Sequence, residues 1–154
     1  MDLIVDKEKI LARARRSTSL VGEDLSGINL EGENLSGIDF SRAKLNRVQF
    51  KGANLAGSRF HEASLQRADL SGANLSRAYL VATDLMGACL LKANLERSFL
   101  SGSNLGGADF EDANLKQACF GVVHVSFPNE SGRPTSFRNA NLEGVLVNTT
   151  DFRG

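Results

Sequence analysis

The sequence predicts an all-β solenoid, a tower of square coils whose first coil is covered by an α-helix, and three observations lead there. From Leu20 to Phe120 every fifth residue is leucine or phenylalanine, twenty-one times without a gap. Two residues before each of these the side chain is mostly small (Ala43, Ala53, Ser58, Ala63, Ala68, Ala73, Ala78), and the residue just before is often Asp or Asn (Asp24, Asn34, Asn54, Asp69, Asn74). The period itself fits neither regular element, because a helix repeats apolar positions near every ~3.6 residues and a strand every second. A unit with one small and one large side chain inward and the others outward is one side of a polygon, a short extended segment and then a corner. Four units closing a square turn give about twenty residues per coil, and each coil stacks on the next at roughly 4.8 Å.

Segments such as Ala53-Asn54-Leu55-Ala56-Gly57 and Ala73-Asn74-Leu75-Ser76-Arg77 resemble the pentapeptide-repeat family, continuously over about two-thirds of the chain. The resemblance implies a right-handed quadrilateral β-helix. It says little about function, since the repeat is a scaffold and not a site.

Taken in order, the chain divides into a capping helix within residues 1–17, a regular β-helix over 18–120, a register slip and loop over 121–136, and a final coil over 137–154. Asp6 to Arg16 has helix-forming composition, with Asp6 as N-cap and Arg13, Arg15 and Arg16 near the C-terminal end, where the helix dipole favours cations. Ile10, Leu11 and Ala14 share one narrow apolar face. Such a helix is predicted to lie over the first coil and hide its core, as solenoid caps must. Glu23 and Glu33 occupy slots that later coils fill with Ala or Ser, and one of them is expected to pair with Arg13 or Arg16.

Sorted by twenties, Leu35, Leu55, Leu75, Leu95 and Leu115 stack on one side, and Leu25, Leu45, Leu65, Leu85 and Leu105 on the side opposite. Phe40, Phe60 and Phe120 fall on a third side, faced by Phe50 and Phe110 on the fourth. At about 1.5–3 kcal/mol for each buried large side chain, this interior stabilises a rod without disulfide or metal. Asn34, Asn54, Asn74, Asn94 and Asn114 form an outer column whose amides can hydrogen-bond along the tower. Gly27, Gly37, Gly57 and Gly72 sit where a tight corner needs positive φ, whereas Arg42, Arg47, Arg67 and Arg77 in the same slot predict that some corners differ.

After Phe120 the rhythm breaks. Phe127, Phe137, Leu142, Val147 and Phe152 keep a period of five but are offset by two, which predicts a small insertion near Gly121 and a surface loop holding Pro128 and Pro134.

Composition bounds the function. With 154 residues and 18 basic against 18 acidic side chains, the chain is a single domain with no global reason to bind nucleic acid or an anionic membrane. No apolar run is long enough to span a bilayer and the start lacks the basic and apolar regions of a secretory signal, so a cytoplasmic location is expected. His61 and His124 lie about three coils apart, no nucleophile–base grouping, metal-ligand spacing or phosphate loop is present, and no catalytic, cofactor-binding or metal site is predicted. Cys89 and Cys119 face opposite walls and are expected to be free thiols.

Binding surfaces are the stronger signal. One outer column runs Arg59, Tyr79, Phe99, Cys119 with Val81 beside it, either a contact patch or a simple stack with Arg59 over the ring. Val145, Leu146 and Val147 place apolar side chains beside the last coil's open edge, and a head-to-head homodimer is the simplest closed solution. Residues 23 to 39 carry five acids and no base, and residues 42 to 77 seven bases and two acids. The expected function is a non-catalytic protein-binding scaffold or inhibitor, such as the immunity-type partner of a bacterial toxin or enzyme. The alternative is a DNA-mimicking regulator or protector of DNA gyrase. The resemblance supplies that alternative, since several family members that protect gyrase dimerise through their C-terminal ends. Those members are strongly acidic along the rod, and this sequence is not.

Overall fold

A computed structural model describes residues 7–125 and 132–147. The expectations for Asp6, Phe127, Pro128 and Phe152 lie outside the described residues. Among those described, the one helix, α1, spans Lys7–Ser17, and from Ser19 to Leu146 the described residues are joined by a ladder of single-residue parallel bridges. From Ser19 to His124 each bridge joins a residue to the one twenty further on, as in Asn34 to Asn54 to Asn74 to Asn94 to Asn114, so each of these coils takes twenty residues and carries four rungs.

The hydrogen bonding explains the period of five. The amide of each large inward residue donates one coil forward, as Leu25 does to Lys44 at 2.8 Å, and the amide just before it donates one coil back, as Lys44 does to Glu23 at 2.9 Å. The amide of each small inward residue closes the corner onto the large residue three before it, as Ala63 does to Phe60 at 2.9 Å. With these groups satisfied the side chains can turn inward into a dry interior, in which Leu20 through Leu115 at every fifth position are essentially inaccessible. Phe40 and Phe60 stack at 5.1 Å, and Phe50 meets Phe40 edge-on from the facing side at 5.8 Å. Where the small slot holds a hydroxyl, a backbone carbonyl accepts its proton: Ser58 donates to Leu35, and Thr83 to Phe60.

Every regular corner has the same form, contrary to the expectation that the arginine corners differ. Arg42, Arg47, Arg67 and Arg77 hold φ between 56° and 59°, close to the left-handed values of Gly57 and Gly72. Each non-glycine residue there costs about 1–2 kcal/mol, which the rungs on either side of the corner over-determine.

The cap behaves as expected in outline. Leu11 and Ala14 of α1 are buried against the first coil, and Thr18 at φ 48° ends the helix. Arg13 pairs with Glu23, whereas Glu33 pairs with Lys7 at 2.8 Å and not with an arginine.

The slip differs from expectation in size and place. Asn104 still bridges His124, twenty residues on, while Asp109 bridges Ser136, Asn114 bridges Asn141 and Cys119 bridges Leu146, each twenty-seven on. Seven residues (27 − 20) are therefore inserted between His124 and Ser136, and none near Gly121. At Gly121 the corner only shifts: the left-handed residue is 121 instead of 122, and a Cβ there would collide with the Ser101 side chain. Below the insertion the interior resumes, with Phe137 stacked on Phe110 at 4.9 Å.

The amide ladder forms as predicted and crosses the insertion. Asn54, Asn74, Asn94, Asn114 and Asn141 each donate Nδ2 to the Oδ1 of the asparagine one coil back, at 3.0 to 3.4 Å. Replacing Asn74 by Ala removes two of these bonds and the Oδ1 contact with the Ser76 amide. Thermal or urea unfolding should show a loss of about 1–2 kcal/mol, and an unchanged midpoint would refute a stabilising ladder.

Candidate functional site

The outward residue of each rung forms a column down one wall, and on the wall of interest it reads Asp39, Arg59, Tyr79, Phe99, Cys119, Leu146. The seven-residue insertion is what brings Leu146 under Cys119, joining two patches that the sequence left apart. Tyr79 and Phe99 are 45% and 38% exposed and stack at 5.0 Å with their planes 9° apart. Arg59 makes no ring contact, hydrogen bond or ion pair through its side chain among the described residues, so it does not cover the aromatic pair.

Two edges of different character border the column. On one, Arg77 is likewise unpaired, Arg97 donates Nε to Gln117 at 2.8 Å with Glu96 at 3.9 Å, and Lys116 pairs with Glu143 at 3.0 Å. On the other, Val81 is half-buried, and Ala82, Gly102 and Gly121 make a low ledge that ends at exposed Val122, whose carbonyl accepts the Gly102 amide. The nearest acid on that side, Glu62, is committed to Arg42 at 2.9 Å, and this hydrogen bond holds its carboxyl below the ordinary carboxylate range.

Of the seven large apolar side chains exposed among the described residues, Tyr79, Phe99, Val122 and Leu146 belong to this wall, and Leu142 and Val147 to the end of the stack beside it. That leaves Val21 alone elsewhere, so the exposed apolar surface is concentrated and not scattered. Val145 points inward and packs partly buried on the core, so it lines the end and not the wall. With Phe120, Phe137, Leu142 and Val147 it surrounds a hollow of about 280 Å³. A second hollow of about 510 Å³ follows the wall between Phe99, Cys119 and Leu146 on one side and Arg97, Gln117 and Gly144 on the other.

The composition of the column explains what sequence reasoning missed. Val122 and the continuity to Leu146 leave no mark in a five-residue period, because only the rung partners show which coil a residue sits under. Among the described residues no group of three metal-ligating side chains comes together, and Cys89 and Cys119 are half-buried free thiols. No described helix is long and apolar enough to cross a membrane.

A family model described as pentapeptide repeats, with 8 copies, matches residues 24–61, 53–91, 63–102 and 88–121. In structure the chain is similar to a pentapeptide repeat protein from the cyanobacterium Cyanothece 51142, at 24% identity and a TM-score of 0.56 over 94% of this chain and 98% of that one. It is also similar to a pentapeptide repeat protein of the Arabidopsis thaliana thylakoid lumen, 36% identical with a TM-score of 0.39 over 70% of this chain and 69% of that one. A plasmid-mediated fluoroquinolone resistance protein, QnrB1, matches at 20% identity and a TM-score of 0.47 over 82% and 79% of the two chains. Among curated proteins none matches. The family model and the cyanobacterial likeness together imply the right-handed quadrilateral β-helix.

Because the wall column already holds Asp39 and Arg59 on equivalent rungs, the variant Tyr79→Glu, Phe99→Glu should fold. Its far-ultraviolet circular dichroism should be unchanged and its stability lower only by the lost stacking, about 0.5–1.5 kcal/mol. A larger loss would make the pair structural.

Proposed function

Since this chain belongs to the pentapeptide-repeat family, whose members are generally non-catalytic, we propose that it is a non-catalytic scaffold that works by binding another protein. The observation that carries this reading is the gathering on the Tyr79 wall and the adjoining end of six of the seven large apolar side chains exposed among the described residues. Soluble proteins that expose contiguous apolar surface use it for contacts. A finer form of the same reading is an inhibitor or immunity-type partner that occupies a surface of a bacterial toxin or enzyme.

The rival reading, a DNA-mimicking protector of gyrase, would need a wall with acids on successive rungs. No mid-side column of the described coils carries them: the rungs from Asp24 run through Lys44 and Ser64, and those from Asp69 through Cys89. Affinity capture from native lysate, comparing the wild-type chain with the Tyr79→Glu, Phe99→Glu variant, tests the scaffold reading. A partner protein should be recovered by the wild type and lost by the variant. Equal recovery by both would remove the wall from the function.

We also propose that a second copy covers the end face of the last described coil. The hollow ringed by Phe137, Leu142 and Val147 is apolar, and the amides of Phe137 and Leu142, whose counterparts above donate to the next coil, find no acceptor among the described residues. An isologous contact satisfies both needs at once. Sedimentation over a wide concentration range should show a dimer that Leu142→Glu, Val147→Glu dissociates. A chain that stays monomeric when concentrated would rule the dimer out.

A further inference from the structure

The Tyr79 wall differs from a sheet edge in one respect that decides what can dock there. The amides of Tyr79, Phe99 and Cys119 donate to Ser58, Ala78 and Ser98, and their carbonyls accept from Phe60, Leu80 and Leu100. No backbone group on these rungs is left to pair with an added strand, so a partner must arrive with its own backbone already satisfied. An α-helix is the compact element that does so.

The spacing suits one. Tyr79, Phe99, Cys119 and Leu146 sit on successive coils, a repeat of roughly 4.8 Å that lies close to the ~5.4 Å pitch of a helix. A helix of about three turns, laid along the rod, places one apolar residue over each rung. The ledge of Ala82, Gly102 and Gly121 lets its backbone come close on one side. The opposite rim and the rung above Tyr79 carry the unpaired guanidinium groups of Arg77 and Arg59; of the nearby acids Glu62 and Glu143 are paired, Glu96 lies 3.9 Å from Arg97, and Asp39, one rung above Arg59, accepts the Ser41 amide, so the cations outnumber the acids beside the aromatic pair. An occupant with carboxylates beside its apolar stripe is complementary, and a basic one is repelled. The chain's own α1, with Arg13, Arg15 and Arg16, has the wrong charge to fill the site from a second copy.

We propose that this wall is the docking face for an acidic amphipathic α-helix of a partner protein, an inference that rests on the protein-binding reading above. The probes are two fluorescein-labelled synthetic peptides of about 18 residues, with the same leucine stripe but flanked by glutamate in one and lysine in the other, titrated against the whole chain by fluorescence anisotropy. The glutamate peptide should bind about tenfold or more tighter than the lysine peptide, with a preference that weakens as salt is added. Tyr79→Glu, Phe99→Glu should abolish binding. Arg59→Glu, Arg77→Glu should remove or invert the preference. Ala82→Lys should weaken binding by raising the ledge, and it should fold, because Lys92 and Arg97 hold the same left-handed corner slot.

No binding of the glutamate peptide, equal or tighter binding of the lysine peptide, or a preference that survives loss of both arginines would overturn the proposal. So would a wild-type dimer that the Tyr79→Glu, Phe99→Glu variant dissociates, since a second copy would then be the occupant. If the captured partner is lost with the wall variant but the glutamate peptide does not bind, the helix inference alone fails. If the partner is kept, the protein-binding reading of the wall fails with it.

Discussion

The parallel rung between a residue and its counterpart one coil on is the constraint on which everything else depends. It consumes the backbone donors and acceptors at regular intervals and thereby decides that side chains at every fifth position face a dry interior. It also aligns identical side chains vertically, so that an asparagine repeated once per coil becomes a hydrogen-bonded amide ladder and an aromatic repeated once becomes a stack. The corners follow from the same constraint. Arginine, glutamate and lysine are held in a left-handed conformation that none would choose alone, because the rungs before and after leave the chain no other way round.

Much of this could be read from the amino acids. Leucine and phenylalanine at every fifth position reveal the coil because the interior tolerates little else, and the column of asparagines reveals its ladder because the amide is both donor and acceptor. The corners were less legible: side-chain identity suggested two kinds where the backbone has one, since an exposed Arg67 carries no trace of its φ. The slip was misread for a different reason. A repeat of five defines position only up to a multiple of five, so an insertion of seven looks like an offset of two. Its place was missed because Val125, partly buried on the core, continues the inward series with a residue that is neither leucine nor phenylalanine.

The candidate site was half visible. Tyr79 and Phe99 stand out as aromatics on an outer column, and their stacking was open to reading from the twenty-residue register. Their connection to Leu146 and Val122 was not, because it depends on how many residues the insertion removes from the coil and on a corner that moves by one residue at Gly121. The result is a rod with most of its described walls polar and one whose apolar residues run toward the last described coil. Regularity builds the body of the molecule, and the departures from it decide where the molecule can be touched.

The seven-residue insertion also bears on how the chain reaches this form. Each regular coil closes a loop of the same length, so adding a coil carries the same entropic cost wherever it is added, and assembly can spread from any completed pair. Lengthening the loop from twenty to twenty-seven residues raises that cost by only about 0.3 kcal/mol. A tower of this kind can therefore acquire a protruding segment at nearly any corner without disturbing the coils above and below, and new surface can be added to an old frame at small thermodynamic expense.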